Sequence, residues 1–287
     1  MTISASKSRF LSLLGKNRLP ISLLVAGFIL FSIAAYLFVP DPFEWNDVFR
    51  PASLSLLSGQ SPYQNPRFLN PPWLLIPIIP FAVLPPRIGS SLFISTSIFI
   101  YIFTAFRMGA RKFSFLLLLF SYPFLLSLWR AQIDCLVMLG FILPPPIGIF
   151  LVATKPQIGY ALILYWAWEA WSKKRWIGLA QLFLPITAAF LISFAMYGFW
   201  PGRGSQVFSG LMNTSFFPQS IPIGLVLLVM AFRLKSNRWA MAASPFMSPY
   251  VPAYSWSVAL LALAPYPIEL AVAVIGVWVW QIIIRFS

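Results

Sequence analysis

The sequence contains no histidine and a single cysteine, Cys135, in its 287 residues. Without histidine, neither acid–base catalysis by an imidazole nor a histidine-ligated metal site is available to the chain. One cysteine excludes an internal disulfide, and the apolar residues around Cys135 indicate a packed, unreactive thiol. Any reaction must therefore use carboxylates, lysines, arginines, amides and hydroxyls.

Charged residues are also scarce, at 9% of the chain, whereas soluble domains carry roughly 25%. Hydrophobic residues make up 60%, and apolar runs recur from Leu19 to the C-terminus. Many of these runs approach the length of about 20 residues that crosses a bilayer as a helix. Because backbone groups in lipid must be satisfied within the chain, we predict an all-α polytopic membrane protein. Residues 1–287 are expected to form a single membrane domain of about nine or ten short transmembrane or re-entrant helices.

Acidic residues are the rarest charged group. The chain has six of them and 20 lysines and arginines, so its net charge is +14. The basic residues are scattered between the apolar runs, which is typical of positive-inside topology with membrane lipids as partners. Nucleic acid is not expected as a partner. Four basic residues precede the first apolar run, so we expect residues 1–18 to be a cytoplasmic N-terminal segment and residues 19–40 to be a retained span. The expected location is a bacterial plasma membrane.

Prolines divide the apolar sequence into short segments. Residues 71–86 contain six prolines and are interpreted as a re-entrant hairpin or a short broken span, because proline interrupts helices. We favour re-entry, since it leaves the next basic cluster cytoplasmic. Two short helices are predicted to flank prolines 144–146, and further spans are predicted at residues 88–106, 113–128, 158–171, 176–200 and 223–232, with two or three helices after residue 238. Broken helices at membrane depth favour an internal cavity.

The longest polar stretch, residues 41–70, follows the first span and is expected to be an outer-face loop. It holds three of the six acidic residues, Asp41, Glu44 and Asp47. A carboxylate beside a membrane cavity can act as a general base on an acceptor hydroxyl, and burial against neighbouring aromatic residues would favour that role. The alternative is a solvated loop whose carboxylates cap a helix that begins near Asp47.

Two smaller polar groups interrupt apolar sequence. Arg130, Gln132 and Asp134 lie at a predicted helix end, where polar groups either serve a site or form an Arg130–Asp134 pair four residues apart. Lys155 is isolated between apolar runs and can either neutralise a lipid phosphate or extend to the membrane interface.

Several segments occur in an order that resembles a known family. They are Val48-Phe49-Arg50-Pro51-Ala52, Leu56-Leu57-Ser58-Gly59-Gln60-Ser61-Pro62-Tyr63, Asn70-Pro71-Pro72-Trp73, Pro80-Phe81-Ala82-Val83-Leu84-Pro85, Ala131-Gln132-Ile133-Asp134, Lys155-Pro156-Gln157 and Ser248-Pro249-Tyr250. The set resembles the polytopic GT-C glycosyltransferases, and most closely glycosyltransferase family 87, the polyprenyl-phosphate-mannose-dependent α-mannosyltransferases. The resemblance spans roughly residues 40–255.

The resemblance implies a GT-C-like hexosyltransferase that passes a mannose-like sugar from a polyprenyl-phosphate donor to a lipid or glycan hydroxyl at the outer face. The family's loop acid would be the general base, and its register falls between Glu44 and Asp47, so both stay candidates. The resemblance places the donor phosphate on Lys155, Arg130 and Arg50. It assigns substrate contacts to Gln132, Asp134, Gln157, Tyr63 and Asn70. No cofactor and no metal ligand set are implied, and an assisting divalent cation is left open.

Two other functions are compatible with the same features. Broken helices around a cavity are also typical of a transporter or flippase for a lipid-linked substrate, although the sequence shows no internal repeat. The shifted register of the loop acid is also compatible with a non-catalytic GT-C-like scaffold.

Overall fold

A computed structural model describes residues 21–201 and 213–286. Within these ranges every regular element is helical, apart from one isolated β-bridge between Asn213 and Pro252. The prediction of an all-α chain is therefore confirmed. The predicted cytoplasmic segment, residues 1–18, lies outside the described residues.

The α-helices in chain order are α1 (Ile21–Phe38), α2 (Arg50–Leu57), α3 (Ile79–Ala82), α4 (Pro86–Arg107), α5 (Lys112–Leu119), α6 (Tyr122–Trp129), α7 (Asp134–Ile142), α8 (Pro145–Val152), α9 (Pro156–Tyr197), α10 (Ile221–Leu234), α11 (Asn237–Phe246), α12 (Ser257–Ala262) and α13 (Pro267–Phe286). A π-helix precedes α2 at Trp45–Phe49, and short 3-10 helices form at Pro62–Gln64, Pro72–Leu75 and Ala253–Trp256. Three helices thus follow residue 238 or begin beside it, in agreement with the predicted two or three.

Three of the described helices, α1, α4 and α9, are long and apolar enough to cross a membrane. The pair α5 and α6 would add a fourth span if the two helices act as one. Helix α1 leaves nearly all of its apolar side chains exposed, which is the surface that a lipid-facing helix presents. The fold is therefore compatible with a membrane protein.

The segment predicted to cross at residues 113–128 is not one helix, because α5 and α6 meet at a bend of 54°. Ser121 adopts an extended backbone there, and Pro123 occupies the first turn of α6. Proline has no N–H to bond the carbonyl of the preceding turn, and its ring clashes with that carbonyl, which accounts for the break.

Residues 71–86 are also broken, as their six prolines predict. The segment contains only the 3-10 helix Pro72–Leu75 and the single turn of α3. It is not among the described helices long enough to cross a membrane. A full helical span is thereby excluded for this segment.

The polar stretch 41–70 is folded rather than a solvated loop. Trp45, Val48 and Phe49 of the π-helix are buried, and the Trp45 indole donates a hydrogen bond to the carbonyl oxygen of Pro86 at 3.0 Å. Glu44 occupies the cap position of the π-helix without a side-chain capping bond, and Asp47 instead bonds Arg67. The alternative interpretation of helix-capping carboxylates is therefore wrong.

Helix α9 consists of two antiparallel arms that meet at Arg175, whose φ of 49° and ψ of −131° are not helical. The arms approach so closely that a Cβ atom on Gly178 would overlap the carbonyl oxygen of Ala170. Trp171 and Trp176 pack edge to face across the reversal, with ring centroids 4.9 Å apart. Two separate spans around this basic turn were predicted, and the structure confirms two helical arms.

Helices α7 and α8 form the predicted hairpin around prolines 144–146. The closest approach joins Gly140 to Gly148, where a Cβ atom on Gly148 would overlap the carbonyl oxygen of Gly140. The same Cβ position also faces the ring of Trp166 in α9. Glycine therefore lets α7, α8 and α9 pack closely at this point.

Replacing Gly148 by alanine tests this packing. Alanine at a glycine site with open space raises helix stability by up to about 1 kcal/mol. Overpacking at Gly148 should instead lower the free energy of unfolding by about 1–3 kcal/mol. Thermal unfolding of the purified protein in detergent measures the difference, and Gly276→Ala is the matched control because no atom lies within 4 Å of its Cβ position. Equal or higher stability of Gly148→Ala would contradict the contact.

Candidate functional site

A cavity of about 710 Å³ opens between the folded 41–70 stretch, the start of α9 and the loop that follows α11. Its volume falls within the range of roughly 300–1,000 Å³ that is typical of small-molecule sites. We call it the polar cavity, because its lining includes Glu44, Arg67, Asn70, Gln132, Thr154, Lys155, Gln157, Tyr250 and Tyr254. Segments that lie far apart in the chain thus meet around one space.

A buried ion pair forms one wall of the polar cavity. The Lys155 ammonium donates to an oxygen of Asp134 at 2.6 Å and to the amide oxygen of Gln132 at 2.8 Å. Exposure is 6% for Lys155 and 1% for Asp134. Ser255 donates to the second carboxylate oxygen of Asp134 at 2.8 Å, and the Tyr254 ring lies 4.6 Å from the ammonium. The two charges are therefore compensated by each other and by three further groups.

Local structure explains how these groups meet. Asp134 is the first residue of α7 and Lys155 immediately precedes Pro156, the first residue of α9. Ala131 adopts a positive φ of 50°, which turns the chain between α6 and α7 and directs the following Gln132 inward. The 3-10 helix Ala253–Trp256 brings Tyr254 and Ser255 to the same wall.

This arrangement overturns two interpretations made from local sequence. Asp134 does not pair with Arg130 but with Lys155, while Arg130 lies 3.9 Å from Glu44. Lys155 does not extend to an interface, because its side chain is buried among the groups described above. The four-residue spacing of Arg130 and Asp134 predicts an ion pair only if both residues lie in one continuous helix. The chain turns at Ala131, between them, so this condition is not met.

Gln132 retains an unused donor at the cavity wall. Because an ammonium can only donate, Lys155 must face the amide oxygen of Gln132, and the amide nitrogen points elsewhere. That nitrogen is buried and has no hydrogen-bond partner among the described residues. Lys155 has three N–H donors, of which Gln132 and Asp134 engage two. Lys155, which lines the cavity, therefore retains one donor for a ligand oxygen.

The two candidate loop acids occupy different environments. Glu44 lines the polar cavity and lies beside Arg130, with 3.9 Å between nitrogen and oxygen. Asp47 is half exposed, forms a hydrogen-bonded ion pair with Arg67 at 2.8 Å, and is not among the described residues that line the cavity. The structure thus distinguishes two carboxylates that the sequence left equivalent.

Two tyrosines complete the side of the cavity next to Glu44. Burial raises the pKa of the Tyr250 phenol, the Glu44 charge raises this pKa further, and Arg130 lowers it. Burial also raises the pKa of Tyr254 well above its ordinary value, with Glu44 and Asp134 adding to the effect. Both phenols therefore stay protonated at neutral pH and can donate hydrogen bonds.

The remaining predicted site residues divide into two groups. Asn70 lines the cavity while its amide donates to the carbonyl of Thr154 at 2.8 Å, and Gln157 lines it too. Tyr63 and Arg50 are not among the described lining residues. Tyr63 donates to the backbone oxygen of Asn70 at 2.9 Å and so holds that residue in place. Arg50 donates to the carbonyl oxygen of Leu84 at 3.4 Å, which ties α2 to the loop before α4.

Sequence analysis did not assign five polar residues of this site, namely Arg67, Thr154, Tyr250, Tyr254 and Ser255. The segment Ser248-Pro249-Tyr250 carried a weak resemblance to a family element, and that signal pointed towards Tyr250. Ser255 lies in an ordinary mixture of small and aromatic residues, so its contact with Asp134 required the fold.

Among residues 21–201 and 213–286, no three acidic or cysteine side chains gather closely enough to hold a metal ion. Comparison with protein-family models, with curated proteins and with solved structures finds no match to this chain.

Breaking the buried pair on one side only should destabilise the protein strongly. Lys155→Met or Asp134→Leu leaves an uncompensated buried charge, at a cost of about 3–5 kcal/mol. The double variant Lys155→Met/Asp134→Leu removes both charges and should recover most of that loss. Thermal unfolding in detergent measures all three variants. A double variant that loses the sum of both single losses would contradict direct pairing.

Proposed function

We propose that the chain is an integral membrane glycosyltransferase, a hexosyltransferase that uses a polyprenyl-phosphate-linked, mannose-like sugar as donor in the polar cavity. The supporting observation is that Asn70, Gln132 and Lys155 line one cavity together with Glu44. These three residues come from three of the segments that carry the resemblance to glycosyltransferase family 87. Their convergence is what a shared donor site requires.

The phosphate of the donor binds at the Lys155 wall. The Lys155 ammonium supplies the donor, and charge-assisted hydrogen bonds to phosphate are the stronger kind. Arg67 lines the same cavity and adds positive charge. During transfer, the bond between the sugar's anomeric carbon and the phosphate oxygen breaks, and polyprenyl phosphate leaves with the electron pair. Positive groups that face this oxygen stabilise the charge as it develops.

Glu44 acts as the general base. It takes the proton of the acceptor hydroxyl while the acceptor oxygen forms the new bond to the anomeric carbon, so charge and atoms balance. The Arg130 guanidinium lies 3.9 Å from this carboxylate and helps to orient it. Asp47 suits this role less well, because it is paired with Arg67 and is not among the described residues that line the cavity.

The cavity faces the outer side of the membrane. Helix α4 begins beside Trp45, next to the cavity, and runs to Arg107. The first arm of α9 begins beside Lys155 and runs to the reversal at Arg175. The ends remote from the cavity carry exposed basic residues: Arg107, Arg111, Lys112, Lys173, Lys174, Arg175, Arg233 and Lys235. Positive-inside topology places that end in the cytoplasm, with anionic lipid head groups as partners.

The Glu44→Gln variant tests the base. Loss of general-base catalysis should lower transfer by about 100-fold to 10,000-fold, whereas Asp47→Asn should remain within a few-fold of the native protein. The assay follows labelled mannose from polyprenyl-phosphate mannose to methyl α-mannoside or to membrane lipid in proteoliposomes. Thermal unfolding of both variants serves as the control for folding.

Other outcomes of the same assay favour the alternatives. Full transfer by Glu44→Gln would contradict its role, and loss of transfer in Asp47→Asn alone would move the base to Asp47. Translocation of a labelled lipid-linked sugar across the bilayer, with no transfer product, would support the transporter. Binding of polyprenyl phosphate with neither transfer nor translocation would support the non-catalytic scaffold.

Cysteine labelling tests the orientation. The native Cys135 is buried, so Gln64→Cys near the cavity and Ser172→Cys near the basic end introduce exposed thiols at opposite ends. In intact bacterial cells an impermeant maleimide should label the first variant and not the second, and both should react after lysis. The reverse pattern would invert the orientation.

A further inference from the structure

A second cavity of about 470 Å³ lies beside the polar cavity, between the start of the 41–70 stretch and the end of α6. We call it the side cavity; it is lined by Asp41, Pro42, Phe43, Leu126, Trp129 and Arg130. Its volume also falls within the roughly 300–1,000 Å³ of small-molecule sites. The proposed donor site does not use it.

The two cavities share a wall. Phe43 lines both of them, and its ring is held by the guanidinium of Arg67 at 5.0 Å. Arg130 lines the side cavity and Glu44 lines the polar cavity, and these two residues face each other at 3.9 Å. A group bound in the side cavity therefore lies beside Arg130, whose guanidinium is 3.9 Å from the Glu44 carboxylate, and shares the Phe43 wall with the donor site.

The lining of the side cavity combines an aromatic plane with charged hydrogen-bonding groups. Trp129 ends α6 and is 54% exposed, while Pro42 and Leu126 extend the apolar surface. Asp41 can accept hydrogen bonds from hydroxyls, and Arg130 can donate to them. A pyranose has the complementary surface, since its C–H face is apolar and stacks on an indole, whereas its edge carries hydroxyls.

The position of Glu44 indicates which sugar binds there. A general base must lie within hydrogen-bond reach of the hydroxyl that it deprotonates, and both substrates must be held at once. We infer that the side cavity is a carbohydrate site that binds the acceptor sugar, with Trp129 under its ring and one hydroxyl directed towards Glu44. This inference rests on the proposed function, because only a transferase needs an acceptor beside the donor.

Substitution of Trp129 tests the site by its effect on the acceptor alone. Trp129→Ala should raise the KM for methyl α-mannoside about tenfold or more, a loss of roughly 1.4 kcal/mol. The kcat and the KM for the polyprenyl-phosphate donor should change less than about twofold. The lost contact binds the acceptor equally in the ground state and in the transition state, so only the acceptor KM responds. Trp129→Phe, which retains an aromatic plane, should restore much of the acceptor affinity.

Trp176→Ala is the matched control, because Trp176 is an exposed tryptophan at the opposite end of the molecule. Saturation-transfer NMR with methyl α-mannoside and the detergent-solubilised protein gives a second readout that needs no transfer. The signal should fall in Trp129→Ala and Asp41→Asn and persist in Trp176→Ala. Unfolding temperatures of all variants verify that the fold is retained.

Each outcome separates this inference from the proposed function. If Trp129→Ala transfers sugar with an unchanged acceptor KM, the proposed carbohydrate site is wrong, whereas the proposed transferase activity is unaffected. An equal effect of Trp129→Ala and Trp176→Ala also overturns it, since both tryptophans would then act only as interfacial anchors. If sugar binding depends on Trp129 but no transfer activity is found, the carbohydrate site is supported and the proposed transferase activity is contradicted.

Discussion

The buried pair of Lys155 and Asp134 is the contact on which the arrangement of the site depends. Two ions in an apolar interior each lose several kilocalories per mole of hydration, and this loss is offset only when their geometry and remaining hydrogen bonds are complete. Here Gln132, Ser255 and Tyr254 complete the set. The pair therefore holds the start of α7, the start of α9 and the 3-10 helix Ala253–Trp256 in one place.

Helix breaks make the room that this cluster needs. Prolines interrupt the apolar sequence in residues 71–86, at α6 and around residues 144–146, so short helices end inside the fold rather than at its edges. Ends of helices carry unsatisfied backbone groups, which require partners or a solvated space when lipid surrounds the protein. The polar cavity is lined largely by such ends, including the residues just before α9 and just after α11.

The pair of Glu44 and Arg130 has a different character from the buried pair. Its separation of 3.9 Å and partial exposure leave both groups able to rearrange around a ligand, whereas Lys155 and Asp134 are locked by short hydrogen bonds. The site therefore combines a rigid, charge-compensated wall at Lys155 with a less constrained carboxylate at Glu44. Phe43 lies at the boundary of the polar cavity and the side cavity and lines both.

The sequence by itself determined the class of structure, because 60% hydrophobic residues and 9% charged residues leave few alternatives to apolar helices. It also located the breaks at residues 71–86 and 144–146, although not the one between α5 and α6, and it singled out Glu44, Gln132 and Lys155, since proline and isolated charges act locally on the chain. Only the tertiary structure decided that Asp134 pairs with Lys155 rather than with Arg130, and that Glu44 rather than Asp47 lines the cavity. These choices depend on the turn at Ala131 and on contacts between residues far apart in the chain, which no local pattern of residue types encodes.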